Sequence, residues 1–200
     1  MEYGVALLQG ATECGDRVNF LNAGSALEST VNLYSYIKRQ FANWGGVAIQ
    51  YPEKIRFLDP RLQNVYGPDD GVTKFVSSVI RAFRASVPEL RATAGEQERD
   101  FVHIRDVVRA FDVIISNLGY FAACDTVDTG SGSAIRVRDF FELAQYIAGS
   151  SSKVLFGALA YRQNEPMRCV VDITRLRSLG WRPVISLEDG LRDMFSKTLY

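Results

Sequence analysis

Tyr34 and Lys38 lie four residues apart in the stretch NLYSYIKRQF, residues 32–41. On a helix this spacing puts both side chains on one face. A phenol in water loses its proton near pH ~10. A neighbouring ammonium favours the phenolate. A tyrosine in that setting can give or take a proton on a hydroxyl or carbonyl oxygen near neutral pH. Two amphipathic residues at the rim of a helix would show the same spacing, so the pair alone leaves both readings open. Ser25 adds a third group. It follows the apolar stretch VNFLNAG, residues 18–24, at the point where a strand meets a loop. Open α/β sheets bind ligands at that edge, and a serine hydroxyl there can bond the oxygen that a tyrosine protonates. A plain turn serine is the alternative.

The elements that would hold these groups are well punctuated. GVALLQGATECGD has helical apolar spacing ending near Gly15, and VNFLNAG reads as a buried strand. STVNLYSYIKRQFANWGG reads as a helix with Leu33, Ile37, Phe41 and Trp44 on one stripe, stopped by Gly45 and Gly46. IRFL is a strand candidate, and Pro60 just after it disfavours a central hydrogen-bonded position. NVYGPDDG is turn chemistry, and TKFVSSVIRAFRAS is an amphipathic helix. Asp106 is placed to N-cap VVRAFDVIISNL, with Gly119 closing it. DTVDTGSG reads as a strand entering a glycine loop, and RVRDFFELAQYIAG as a helix. Asp172 can cap ITRLRSLG, and Ser186 with Asp189 has capping-box spacing before GLRDMFSKTLY, which reads as helix to the end. Strands alternating with helices indicate an α/β class with a parallel sheet at its centre.

Composition narrows the function classes. The 200 residues carry 23 basic and 23 acidic side chains and are 47% hydrophobic. A balanced charge argues against nucleic-acid or membrane-surface binding driven by bulk charge. No apolar run approaches the ~20 residues that span a bilayer. Cys14, Cys124 and Cys169 are widely spaced, which fits packing thiols in a reducing, cytoplasmic setting. His103 is the sole histidine; it is read as packing at a strand end, and no metal site is expected. Phe101, Phe111, Phe140 and Trp181 are read as core, and Asp100 as structural.

FLNAGSA, YSYIK, RLQNVYGP, GEQERDFVHIRDVVRA, YRQNEPM and LGWRP follow one another in that order. This succession resembles the extended short-chain dehydrogenase/reductase family, the nucleotide-sugar epimerases, dehydratases and reductases, over roughly residues 4–195. The resemblance implies NAD or NADP as cofactor and a nucleotide-diphosphate sugar as substrate. It implies that Tyr34 is the acid/base, that Ser25 orients the substrate oxygen, and that Lys38 holds the nicotinamide ribose and tunes Tyr34. It matches Asn64 to a residue facing the nucleotide-sugar, Arg99 to an arginine on the diphosphate, and Arg162 and Glu165 to positions at the nucleotide. A guanidinium suits phosphate because it forks onto two oxygens and keeps its charge. Ordinary salt bridges for Arg99 and Arg162, and a turn for Asn64, are the bland alternatives.

The family opens with a strand, a G-x-x-G-x-x-G turn and a helix, and no such motif stands in this sequence. Relative to a two-domain member, ~80–100 residues including the first βαβ units would be absent. The expected architecture is therefore a partial Rossmann-like parallel sheet with a smaller α/β substrate-binding part. Residues 1–66 form an incomplete dinucleotide-binding domain, and residues 67–200 are mostly substrate-binding, with segments around 99–130 returning to the sheet. A sheet short of its first strands exposes an apolar edge. Two partners fit that: a second copy, or a chain supplying the missing half. The loop from Ser25 to Tyr34 is short, as in the family's deoxysugar reductases. The reaction implied is 4-keto reduction or C4 epimerisation, impaired if the cofactor half is lacking. A non-catalytic module that binds nucleotide-sugars or a partner is the alternative.

Overall fold

The computed structural model describes residues 2–48 and 54–196. In chain order the elements are α1 (Glu2–Glu13), β1 (Val18–Leu21), β2 (Gly24–Ser25), α2 (Leu33–Ala48), β3 (Ile55–Leu62), β4 (Val65–Tyr66), α3 (Phe75–Arg84), β5 (Glu89–Arg91), β6 (Glu98–Asp100), β7 (Val102–His103) and α4 (Ile104–Ser116). After a 3₁₀ turn at Leu118–Tyr120 come β8 (Cys124–Thr129), β9 (Ala134–Arg136), α5 (Val137–Ala148), β10 (Lys153–Leu155), β11 (Arg168–Cys169), α6 (Thr174–Ser178) and α7 (Leu187–Ser196). The chain forms two compact units. One is Met1–Gln63, Arg109–Thr129 and Asp172–Trp181; the other is Asn64–Val108, Gly130–Val171 and Arg182–Tyr200. Asp172–Trp181, which the sequence assigns to the smaller part, instead packs on β8 through α6. Residues 197–200 of the expected last helix lie outside the described residues.

The first unit is built on a parallel sheet. β3 runs through its middle, paired with β1 from Val18–Ile55 to Leu21–Leu58 and with β2 at Gly24–Arg61 and Ser25–Leu62. Its other edge pairs with β8 from Phe57–Cys124 to Leu62–Thr129. Parallel neighbours need crossovers, and α2 supplies one between β2 and β3. β1 and β2 keep one register along β3 and read as one strand broken at Asn22 and Ala23.

Pro60 corrects an expectation. It sits inside the central strand, opposite Val127 of β8. In a parallel ladder alternate residues point their backbone groups to opposite sides. Leu58 and Leu62 accept from Asn22 and Ala26 N–H groups at 2.8 and 3.0 Å. Pro60, midway between them, therefore faces the break between β1 and β2. The carbonyl that its missing N–H would have met belongs to Asn22, and Gly24 N occupies it at 3.0 Å. The ladder loses nothing that was available there.

α2 starts at a reciprocal cap. Asn32 Oδ1 accepts from Ser35 N at 2.9 Å, and Ser35 Oγ accepts from Asn32 N at 3.3 Å. The helix does not stop at Gly45 and Gly46 as expected but runs on to Ala48. Gly45 is buried against the Phe57 ring, where a β-carbon would collide with it. The glycine lets the helix approach the sheet rather than ending it. Phe20 of β1 stacks on Phe57 at 5.5 Å between ring centroids, and Phe41 meets Phe57 edge-on at 6.2 Å. These aromatic pairs seat α2 on the sheet.

The second unit has its own core. Val76, Val79, Ile80 and Phe83 of α3 meet Phe140, Phe141 and Ala144 of α5 and Leu191 and Met194 of α7. Phe101 and Phe140 stack at 4.8 Å. Phe101, Phe140 and Trp181 are buried as expected, and Phe111 is half-buried. Asp106 is not an N-cap, since α4 begins two residues before it. Its buried carboxylate accepts from the N–H groups of Val184 and Ile185 at 3.2 and 3.0 Å. Ser186 accepts from Asp189 N at 3.0 Å and donates to its carboxylate at 2.6 Å, the expected start of α7. His103 is buried, its Nδ1 accepting from Arg105 N at 3.3 Å and its Nε2 lying 3.8 Å from Asp193 Oδ2. Among the described residues no helix is long and apolar enough to cross a membrane.

Candidate active site

The first unit brings Tyr34 and Lys38 together on one turn of α2. The Lys38 ammonium stands 5.8 Å from the Tyr34 ring centroid, within range of a cation–π attraction. Its Nζ also donates to the Ala23 carbonyl at 2.8 Å. That bond ties the ammonium to the backbone two residues before Ser25. Ala23 lies in the break between β1 and β2, and its carbonyl takes no part in the ladder with β3. Tyr34 is 60% exposed, so its phenol is open to a ligand.

Ser25 closes β2 opposite Leu62. Its Oγ accepts from Leu27 N at 3.2 Å. A hydroxyl that accepts in this way still has its hydrogen to donate, so Ser25 keeps a donor for a ligand oxygen at the carboxyl end of the sheet.

Behind this group lies a buried polar pair. Asp59 is 3% exposed, on the face of β3 that Phe57 shows to α2. Asn22 Nδ2 donates to its Oδ1 at 2.6 Å. A β-carbon on Gly24 would collide with the same carboxylate, so the strand passes directly over it. Burial pushes the Asp59 carboxyl above its ordinary value, against the opposing pull of the Asn22 hydrogen bond and of Arg61, Arg39 and Lys38. Sequence reasoning missed Asp59 and Asn22. The signal was a carboxylate at a core-facing step of IRFLDPRL, two residues after Phe57.

The second unit holds the other four candidates. Arg99 and Glu165 form an ion pair between half-buried side chains, and Arg99 also donates to the Glu98 carbonyl at 2.8 Å. β6 and β11 set this up by pairing Arg99 with Cys169. Asn64 donates to the Asp100 carbonyl at 3.0 Å, next to Arg99 in sequence. Arg162 is exposed on the turn that ends at Glu165, where Glu165 N bonds the Arg162 carbonyl at 3.1 Å. The bland reading of Arg99 as a salt-bridge residue thus describes what the chain does with it here. One terminal nitrogen is taken by Glu165, and the guanidinium keeps other N–H donors. Arg99 also lines a cleft of about 360 Å³ with Phe101, Ser131, Ser133, Ile135 and Ser186. Asp100 is fully buried and shapes one wall of it, accepting from Ser131 N at 2.7 Å, Ser131 Oγ at 2.6 Å and Gly132 N at 3.1 Å. Among the described residues no cluster of three or more His, Cys, Asp or Glu side chains could hold a metal ion.

The sequence model of the NAD dependent epimerase/dehydratase family matches residues 6–120. CDP-abequose synthase of Salmonella typhimurium is 32% identical over 166 residues, 82% of this chain and 55% of that protein. GDP-L-fucose synthase 1 of Arabidopsis thaliana is 28% identical over 141 residues, 66% of this chain and 42% of that one. The chain thus spans about half the length of the curated relatives it matches. The fold matches RMD from Pseudomonas aeruginosa complexed with NADPH, with a TM-score of 0.82 at 22% identity over 96% of this chain and 70% of that one. It also matches UDP-glucuronic acid 4-epimerase from Bacillus cereus in complex with UDP-glucuronic acid and NAD, with a TM-score of 0.82 at 20% identity over 96% and 65%.

Proposed function

The chain belongs to the NAD-dependent epimerase/dehydratase family, and from that premise we propose that it carries the proton-transfer and sugar-binding residues of an NAD(P)-dependent enzyme acting at C4 of a nucleotide-linked sugar. The reaction is 4-keto reduction or C4 epimerisation. The observation that carries this reading is the Lys38 ammonium, 5.8 Å from the Tyr34 ring and anchored on Ala23 two residues before Ser25. The 32% identity to a CDP-abequose synthase supports a deoxysugar of this kind.

Tyr34 gives a proton to the sugar oxygen as a carbonyl is reduced, or takes it as a hydroxyl is oxidised. Ser25 donates its hydroxyl hydrogen to that oxygen and polarises it. Lys38 stabilises the phenolate between turns of the cycle. The nicotinamide, when bound, supplies the hydride. The exposed phenol and the anchored ammonium fit its ribose end, and Lys38 would hold a ribose hydroxyl. In the second unit Arg99 would hold the diphosphate with its remaining donors, Glu165 would fix the guanidinium, and Asn64 and Arg162 would contact the nucleotide. We place the protein in the cytoplasm on its cysteine usage, and assign it a second chain: another copy, or a polypeptide that completes the dinucleotide site. Exposed Tyr3, Leu7, Tyr36 and Trp44 on α1 and α2 support such a partner.

Titration calorimetry with NADH, NADPH and CDP- and UDP-sugars tests the reading. Cofactor binding, together with turnover that Tyr34→Phe abolishes, supports it. Nucleotide-sugar binding without any cofactor binding, alone or with the completing chain, identifies a non-catalytic binding module and overturns it.

A further inference from the structure

The carboxylate of Asp59 lies beneath the break that separates β1 from β2. Three hydrogen bonds and one close approach converge there. Asn22 Nδ2 donates to Asp59 Oδ1 at 2.6 Å. The backbone of the same Asn22 donates to Leu58 O at 2.8 Å and accepts from Gly24 N at 3.0 Å. Gly24 lies over the carboxylate with no room for a side chain. Asn22 is therefore held at both ends, and the tight i to i+2 turn it makes with Gly24 places the residue between them. That residue is Ala23, whose carbonyl receives Lys38 Nζ. One residue beyond Gly24 is Ser25. Pro60 follows Asp59, and its lack of an N–H leaves the Asn22 carbonyl to Gly24.

We propose that Asp59 is a positioning residue for the Ser25–Tyr34–Lys38 group: through Asn22 it holds the strand break in the form that offers the Ala23 carbonyl to Lys38 and sets Ser25 at the end of β2. This rests on the proposed function for its chemical purpose, but not for its geometry. An ionisable group in a buried sheet is costly unless its bonds are worth keeping. An apolar residue would fill the space under Gly24 but could not accept from Asn22, and the Asn22 amide would then be left buried and unbonded. Asp59 is buried beneath Gly24 and acts only through Asn22 and the turn.

The hydrogen bond from Lys38 Nζ to the Ala23 carbonyl is readable by NMR on labelled protein, through the Nζ–carbonyl coupling across it. The expected result is a coupling in the parent and in Asp59→Asn, which still offers Asn22 an oxygen. The coupling is lost in Asp59→Ala and in Asn22→Ala, together with shifts of the Gly24 and Ser25 amides. Where the chain turns over, Asp59→Ala lowers kcat about tenfold or more with the nucleotide-sugar KM unchanged, and Asp59→Asn restores it. A coupling absent from the parent, or surviving in both alanine variants, overturns the proposal. So does loss of the fold in both, which would make the pair structural only. The coupling does not depend on turnover. Its predicted pattern, alongside a Tyr34→Phe variant of unchanged activity, would sink the proposed function and leave the positioning role standing.

Discussion

The Lys38 ammonium is shared between the face of the Tyr34 ring, 5.8 Å from its centroid, and the Ala23 carbonyl, 2.8 Å away. The helix supplies the first contact and the sheet the second. The cation is therefore held in place rather than left to wander on a four-carbon stem, which is what a proton-transfer site needs.

If both residues serve one proton, their losses do not add. Tyr34→Phe and Lys38→Met should each lower kcat by roughly 10²–10⁴-fold, and the double variant should fall little further. Steady-state kinetics on the four proteins checks this. A double loss equal to the product of the single losses would separate the two roles.

Asp59 gives the fold a pH signature. Its folded-state value is raised, first by burial, with Asn22, Arg61, Arg39 and Lys38 opposing; Cys124 of β8 also feels its charge. A raised carboxyl binds its proton more tightly in the folded state. Stability from this group is therefore fully present below the unfolded value and falls as pH rises through the folded one. Asp59→Asn should lack that fall and melt about 2–4 °C higher at pH 7, equivalent to roughly 1 kcal/mol. Thermal melts from pH 4 to 8 decide it, and parallel curves for the two proteins would refute it.

Gly45 and Gly46 are neighbours with opposite expectations. Gly45 lies against the Phe57 ring, and Gly46 has no described atom in the way of a β-carbon. Gly45→Ala should cost about 1–3 kcal/mol through overpacking, although alanine favours helix by ~1 kcal/mol. Gly46→Ala should be neutral or stabilising by up to about 1 kcal/mol. Urea unfolding of both variants measures the contrast.

Asp100 tests the second unit. Asp100→Ala removes the acceptor for three donors of the Ser131–Gly132 turn and should destabilise the chain by about 3 kcal/mol. Asp100→Asn, with one accepting oxygen left, should lose less. Chemical denaturation gives the order, and equal losses would mean that the oxygen kept in asparagine contributes nothing.

Most local features were legible because they rest on short-range rules. The i, i+4 placement of Tyr34 and Lys38, the Ser186–Asp189 cap and the amphipathic character of TKFVSSVIRAFRAS depend on residues a turn or two apart, and a helix imposes that geometry wherever it forms. Alternation of apolar stretches indicated the parallel α/β sheet on the same footing. What sequence could not decide was which backbone groups lie opposite one another. Pro60 was a breaker by local rule, yet it sits in the central strand because its missing N–H falls at a gap in the strand next door. Gly45 was a stop by local rule, yet it continues the helix because a ring from β3 fills the space. Arg99 and Glu165 were separate candidates 66 positions apart, and only the pairing of β6 with β11 made them one ion pair. The same holds for Asp59 and Asn22. Their partnership costs nothing locally and leaves no trace in spacing, because it exists only once two distant strands are laid side by side and the space between them excludes water.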